Sequence, residues 1–282
     1  DEEFKQQGAT DMVSMMQTVV PSFNVNDQPI DDASTLVRPA NLRGMASDHT
    51  LVLVNGKRRH RSAVITFLGG GLSDGAQGPD ISVIPAAALK QVEVLRDGAA
   101  AQYGSDAIAG VINFVLNDAS EGGSFEARYG SFYEGDGDMI QMSGNVGLPL
   151  SDKGFINLSA EYRTADDTSR SVQRADAAAL IAAGNTFVAD PAQIWGSPEI
   201  KHDIKLFANA GIELSATSEA YMFGNYAERE VEGGFYFRNP HNRGGVNDGG
   251  TNDDGEQLLL VGDLTGDMSG NCPTDIVVGD NV

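Results

Sequence analysis

Residues 93–116 read EVLRDGAAAQYGSDAIAGVINFVL, two hydrophobic runs separated by small residues. Gly98, Gly104 and Gly110 stand six apart between them. A glycine-rich connection invites a phosphate-cradle reading. Such cradles follow G-x-G-x-x-G or G-x-x-x-x-G-K-[ST] and open into a helix. Here the spacing is six and another strand-like run follows. Tight turns and close backbone approach account for the glycines better. Ala99, Ala100, Ala101 and Ala107 keep the stretch thin. The spacing fits close packing better than a ligand loop.

Working outward, the first ~120 residues read as mixed α/β. TDMVSMMQTVV carries Met12, Met15, Met16 and Val19 at helical spacing behind Thr10 or Asp11 as N-cap, and Pro21 stops it. HTLVLV is a buried strand closed by an Asn55-Gly56 turn. Pro85 opens a short helix, Val92 to Leu95 is a strand, and a turn follows at Gly98. GVINFVL is the next strand. Between Ser62 and Asp80 lies the loop AVITFLGGGLSDGAQGPD.

After Gly123 the pattern changes to long alternating runs. Phe125, Ala127, Tyr129 and Tyr133 share one face, with Glu126 and Arg128 opposite. Ile140, Met142, Val146 and Leu148 oppose Gln141, Ser143 and Asn145. Ile156, Leu158, Ala160 and Tyr162 oppose Asn157, Ser159 and Glu161. Ile204, Leu206, Ala208, Ala210, Ile212 and Leu214 oppose Lys205, Asn209 and Glu213. A fifth run, EAYMFGNYAERE, is aromatic-rich with ambiguous facing. Each run is about 10 residues, the length a tilted strand needs to cross a bilayer. Sandwich strands are usually about 5–6. The long connectors follow runs three and five and leave from one side; the short turns after runs two and four lie on the other. That is the asymmetry of an outer-membrane barrel. A soluble all-β domain with one apolar face is the alternative from alternation alone. Thr164 to about Lys201 includes a helical piece, RADAAALIAAG.

Composition narrows the function. The 282 residues include 40 acidic and 19 basic side chains, a formal charge of -21, which argues against a nucleic-acid partner. The 34 glycines exceed the usual ~7% share and favour β architecture. A single Cys272 forms no disulfide within the chain. No apolar run reaches the ~18 residues of a membrane helix, which leaves β-barrels open. The chain begins DEEFKQQ without a leader pattern, as a mature, processed or trimmed chain would.

The motifs LRG at 42–44, LVLVNG at 51–56, Ile84-Pro85, VEVLRDG and YGSDAIAGVIN, in that order, closely resemble the plug domain of TonB-dependent outer-membrane receptors. The resemblance covers about residues 10 to 117. It implies an α+β plug domain over residues 1–121, followed from 122 to 282 by antiparallel transmembrane β-barrel strands with long extracellular loops. Five or six strands cannot close a barrel of about 22, so the chain looks like the N-terminal third of a receptor. The implied function is energy-coupled import of a scarce nutrient, such as a ferric siderophore, another metal complex, a glycan or a peptide. The implied partners are the TonB energy-transducing protein, outer-membrane lipid and that small-molecule, glycan or peptide substrate. The TonB box belongs upstream of DEEFKQQ and is not evident.

Arg43 and Arg96 match the plug arginines that pair in the family with glutamates on the barrel wall, a plug–barrel lock. A local partner such as Asp97 or Glu93 is the alternative for both. The basic run Lys57-Arg58-Arg59-His60-Arg61 either meets an anionic substrate or faces the wall. Arg61, Phe67, Leu68, Ser73, Asp74 and Gln77 are candidates for a substrate-facing plug loop, against a plain flexible connection. The Asp-rich pieces near 247–256 and 262–271 miss the calcium-loop spacing. His49, His60, His202 and His241 have no metal-ligand spacing. No cofactor, metal site or catalytic constellation is expected, and hence no enzyme. The competing function is a non-transporting β-rich binding or adhesion protein with a plug-like ligand module.

Overall fold

The computed structural model describes residues 12–25, 37–66, 73–182, 184, 188–234, 236–237, 248–251 and 257–259. The chain divides into two compact units, residues 1–168 with 197–233, and residues 169–196 with 234–282.

The first unit begins with helix α1 (Met12–Val19), whose Met12, Met15 and Met16 are buried as their spacing requires. Strand β1 (Phe23–Val25) pairs antiparallel with β2 (Ala40–Leu42). A four-stranded mixed sheet follows, built from β3 (Thr50–Val54), β4 (Lys57–Arg58), β5 (Leu89–Leu95) and β6 (Gly110–Leu116). Its order is β4-β3-β6-β5, with β3 and β6 parallel and the outer pairs antiparallel. All five residues of β3 are buried, as expected of a central strand covered on both faces. The Asn55-Gly56 turn has positive φ at both positions, +47° and +72°, the geometry of a type I′ hairpin. It is pinned to β6: the Asn55 side chain accepts from Leu116 N–H, and Asn113 accepts from Gly56 N–H.

The expected helix at Pro85 is a three-residue 3-10 turn, Ala86–Ala88, and β5 starts at Leu89 rather than Val92. Three alanines cannot nucleate an α-helix ahead of the β-branched Val92 and Val94. The stretch from Gly98 to Gly110 holds a single turn of helix, α2 (Ala100–Tyr103), and a 3-10 turn at Ser105–Ala107. Its glycines do different things. Gly104 sits at φ +92°, ψ -178°, a conformation essentially restricted to glycine. Gly110 sits at φ +147°, and a Cβ there would lie 2.3 Å from the Leu95 carbonyl oxygen. Gly98 tolerates a Cβ at ordinary contact, 3.4 Å from Ile108 O.

A five-stranded antiparallel wall completes the unit: β7 (Gly123–Gly130), β8 (Met139–Pro149), β9 (Gly154–Ala165), β10 (Glu199–Ser215) and β11 (Ser218–Glu232). Neighbours in sequence are neighbours in space. β10 and β11 are 17 and 15 residues, longer than the runs read from alternation. Register places Tyr129 opposite Ile140, Met142 opposite Tyr162, and Leu206 opposite Tyr226. One face is therefore apolar and uncovered, with Phe125 at 75% and Met222 at 72% exposure. The fifth run resolves likewise: Met222 and Tyr226 share that face, while Phe223, Asn225 and Arg229 take the other. Tyr133 lies beyond β7 and joins neither face. The other face buries Asn157, Ser159, Glu161, Asp203, Lys205 and Asn209. Phe207 of β10 and Phe223 of β11 bring apolar rings to this face, and Phe223 is only partly buried. Phe207 joins the core formed by Met16, Phe23, Leu42, Ile112 and Phe114.

In the second unit, α3 (Ala175–Ala182) confirms the helical piece. Trp195 stands edge-on to Tyr236 at 5.8 Å between centroids, and Arg174 lies 5.7 Å from the Phe237 centroid. Strands β12 (Asp248–Thr251) and β13 (Gln257–Leu259) pair antiparallel. No helix among the described residues is long and apolar enough to cross a membrane, which says nothing of strands.

Candidate functional site

The polar face of the wall is the site, because it holds the N-terminal domain. Three sets of contacts do so, at successive heights along the strands. Near the short turns, asparagines grip the linker that leaves β6. Asn209 Nδ2 donates to Asn117 O at 2.9 Å, Asn157 Nδ2 to Ala119 O at 3.3 Å, and Asn117 Nδ2 to Asn145 Oδ1 at 3.2 Å. Gly147 lets the linker lie flat, since a Cβ there would sit 2.5 Å from Ala119 O. Asparagine suits the task because its amide both donates to a free carbonyl and accepts from a neighbour.

Midway, Arg59 Nη1 donates to Asn225 Oδ1 at 2.9 Å, and closer to the short turn Lys57 sits 5.7 Å from the Tyr221 ring centroid. Burial pushes the Arg59 pKa below its ordinary value, and the Asp80 carboxylate opposes that shift. An arginine keeps its proton at neutral pH all the same. His60 is also lowered, chiefly by burial and then by the Arg59 charge. Part of the basic run thus faces the wall, and part is internal. Arg58 pairs with Asp106 and donates to Tyr103 O, so it clasps the turn inside the 93–116 stretch.

Near the long connectors lies a charge network. Lys205 Nζ is 2.5 Å from Glu161 and 3.5 Å from Asp203, and Arg229 Nη2 is 2.6 Å from Asp203. The Glu161 and Asp203 side chains are 3% and 2% exposed. Charges this dry persist only when paired and hydrogen-bonded. Arg229 also reaches the N-terminal domain, at Ser82. A cavity of about 360 Å³ opens between α1, Lys90 and the polar face at Arg128, Gln141 and Glu161.

Arg43 follows β2 at φ +57°, and its backbone N–H donates to Ser22 O. The side chains of Arg43 and Arg96 are exposed. Among the described residues neither has an ion pair. Glu93 accepts from Gln91 Nε2 and Asn113 Nδ2. Four of the six loop residues, Arg61, Ser73, Asp74 and Gln77, are described, and they differ in exposure. Ser73 is buried and accepts from Asn41 at 2.7 Å. Gln77 is held by Asp48 and Ser62 within the domain. Arg61 and Asp74 are exposed. Phe67 and Leu68 lie outside the described residues, as do Cys272, His241 and the 262–271 piece. No group of three or more metal-ligating side chains occurs among the described residues.

Sequence reasoning did not single out Glu161, Asp203, Lys205 and Arg229. For Glu161, Asp203 and Lys205 the signal was present, since each falls on the polar parity of a long alternating run where uncharged side chains would suffice; for Arg229 it was not, because the facing of its run was ambiguous.

The family model described as TonB-dependent Receptor Plug Domain matches residues 1–111. The chain is 34% identical over 128 residues to the vitamin B12 transporter of Vibrio vulnificus, covering 45% of this chain and 18% of that protein. It is 28% identical over 151 residues to the ferric enterobactin receptor of Pseudomonas aeruginosa, covering 52% and 20%. The chain thus spans about a fifth of the length of these curated relatives. A crystal structure of the ferric enterobactin receptor of Pseudomonas aeruginosa matches 82% of this chain and 32% of its own, with TM-score 0.59 and 18% identity. At that identity the likeness is one of fold. These relatives are named as a transporter and receptors, not as enzymes.

Proposed function

Because the chain carries the plug domain and the following antiparallel strands of a TonB-dependent receptor, we propose that it serves gated, energy-coupled import of a scarce nutrient across the outer membrane. The domain over residues 1–121 is the stopper. The strands from 122 onward form part of the barrel, with their apolar face towards lipid and their polar face towards the lumen. One observation carries this reading. A single strand wall presents an uncovered apolar face on one side and, on the other, a polar face that grips the N-terminal domain by hydrogen bonds donated by Asn157, Asn209 and Arg229 and one accepted by Asn145. A soluble sandwich buries its apolar face and solvates its polar one; here the arrangement is reversed, as a membrane barrel with a filled lumen requires.

In this reading TonB engages a segment upstream of the plug and moves it, and Arg43 and Arg96 await carboxylates on wall strands beyond β11. Arg61 and Asp74 remain available to cargo, whereas Ser73 and Gln77 hold the loop in shape. The named relatives point to a metal chelate such as a ferric siderophore, or to a corrinoid. The test is uptake of labelled ferric siderophores and cobalamin by cells with the full receptor as their only such importer, with and without TonB. Accumulation of one cargo that needs both proteins supports the reading. Cargo binding with identical retention in the two strains supports the binding-protein alternative instead.

A further inference from the structure

The charge network at the long-connector end contains more than a wall needs for its own stability. Asp203 and Arg229 occupy paired positions on β10 and β11, and Glu161 and Lys205 occupy paired positions on β9 and β10. Two cross-strand pairs would already neutralise one another. Arg229 instead divides its fork. Nη2 bonds Asp203 at 2.6 Å, and Nη1 reaches across to the plug, 3.3 Å from Ser82 Oγ. Ser82 is prepared for that approach. Its hydroxyl donates to Asp80 Oδ1 at 2.7 Å, which turns its lone pairs towards Arg229. The same carboxylate oxygen accepts from Ser82 N at 2.9 Å and Arg38 N at 3.1 Å, so the turn at 80–82 is fixed from within. Pro39 and Asp80 are bridged as well.

We infer that Arg229, Ser82 and Asp80 form a clasp by which β11 holds the plug at residues 80–82, with Asp203 aiming the arginine. The inference deepens the receptor reading above and rests on it. The clasp is separate from Arg43 and Arg96, and its polarity is opposite: the wall supplies the arginine and the plug supplies the acceptor. It needs a planar fork. Two different nitrogens serve two partners on two bodies, and a lysine ammonium on a shorter reach cannot aim at both. It also needs a hydroxyl that donates and accepts at once. Arg229 is therefore a positioning residue for the plug.

The experiment uses the full-length receptor in detergent, after its TonB-dependent uptake is established, so failure of the clasp is distinct from failure of the receptor reading. Hydrogen exchange is read at plug amides 80–84, at β3 amides and at β9–β10 amides, for wild type, Ser82→Ala, Ser82→Thr, Arg229→Lys and Arg229→Ala. Ser82→Ala leaves the Arg229–Asp203 pair intact and removes both hydroxyl bonds, to Arg229 and to Asp80, so Arg229→Lys is the variant that separates the cross-domain bond from the internal one. The expected effect of Ser82→Ala is about tenfold faster exchange at 80–84, the size of one hydrogen bond to a charged group, with β3 and the wall unchanged. Ser82→Thr restores protection. Arg229→Lys behaves like Ser82→Ala. In the double variant Ser82→Ala with Arg229→Lys, exchange is no faster than in either single variant. Unchanged exchange at 80–84 in Ser82→Ala overturns the proposal, as do additive effects in the double variant. Arg229→Ala also loosens β10, because Asp203 loses its nearest counter-charge; loosening of β10 with no change at 80–84 likewise overturns it.

Discussion

Replacing Gly110 by alanine should open the sheet at the centre of the plug. Two costs add. The residue sits at φ +147°, where an L side chain is strained, by about 1–3 kcal/mol. Its new Cβ would lie 2.3 Å from the Leu95 carbonyl oxygen and 3.0 Å from Leu42 Cδ1. Neither is the free end of a long side chain. Leu95 O belongs to the backbone of β5, and Leu42 is fully buried in the core. Overpacking of this kind costs about 1–3 kcal/mol. The sum is about 2–6 kcal/mol, and each 1.4 kcal/mol is a factor of ten. Amides of Val111 to Phe114 should therefore exchange at least about thirtyfold faster in the full-length receptor, if exchange reports local opening of β6. Gly224→Ala is the control: nothing lies within 4 Å of a Cβ there, and its exchange should match wild type. Exchange at β6 within about threefold of wild type in Gly110→Ala would refute the close-approach account of the 93–116 stretch.

Phe207→Ala should loosen the plug as well as β10, because Phe207 is 4% exposed and packs into the plug core; a core Phe→Ala costs about 3–5 kcal/mol, read as earlier plug release on urea titration while the barrel stays folded. Met142→Lys on the apolar face should impair insertion into lipid vesicles by about 2–4 kcal/mol near mid-depth, whereas Ser143→Lys on the opposite face should insert normally; equal insertion of both would contradict the assigned facing. His60 has its pKa lowered by burial and by Arg59, so the folded state binds fewer protons than the unfolded one. Its contribution is intact above the ordinary His value of about 6.5 and is lost as pH falls through the lowered value. The stability slope below neutrality should flatten in His60→Gln, and an unchanged slope would remove His60 from that account.

The fold was legible where pattern and physics agree. Alternation assigned the apolar face of β7 to β10 correctly, because a period of two survives whatever the strand packs against. The Asn55-Gly56 turn and α1 were equally plain. What local pattern could not show was the boundary of β5 at Leu89, decided by pairing with β6 rather than by residue preference. The facing of β11 was hidden because Tyr221 and Tyr226 lie on opposite faces, one beside Lys57 and one opposite Leu206. The wall side of the site was legible only as polar parity. Nothing in the sequence pairs Arg229 with Ser82, which lie 147 residues apart. The three glycines looked equivalent from spacing, yet only Gly110 is enforced by contact and Gly104 by backbone angle, while Gly98 is enforced by neither.

The central claim is that the domain over residues 1–121 stops a pore whose wall begins at β7. Single-channel conductance of the full-length receptor in planar bilayers, with and without those residues, tests it most directly. The account predicts a closed or barely conducting wild type and a large, stable conductance once the plug is deleted. Equal conductance of the two, in barrels shown to be inserted, would contradict it.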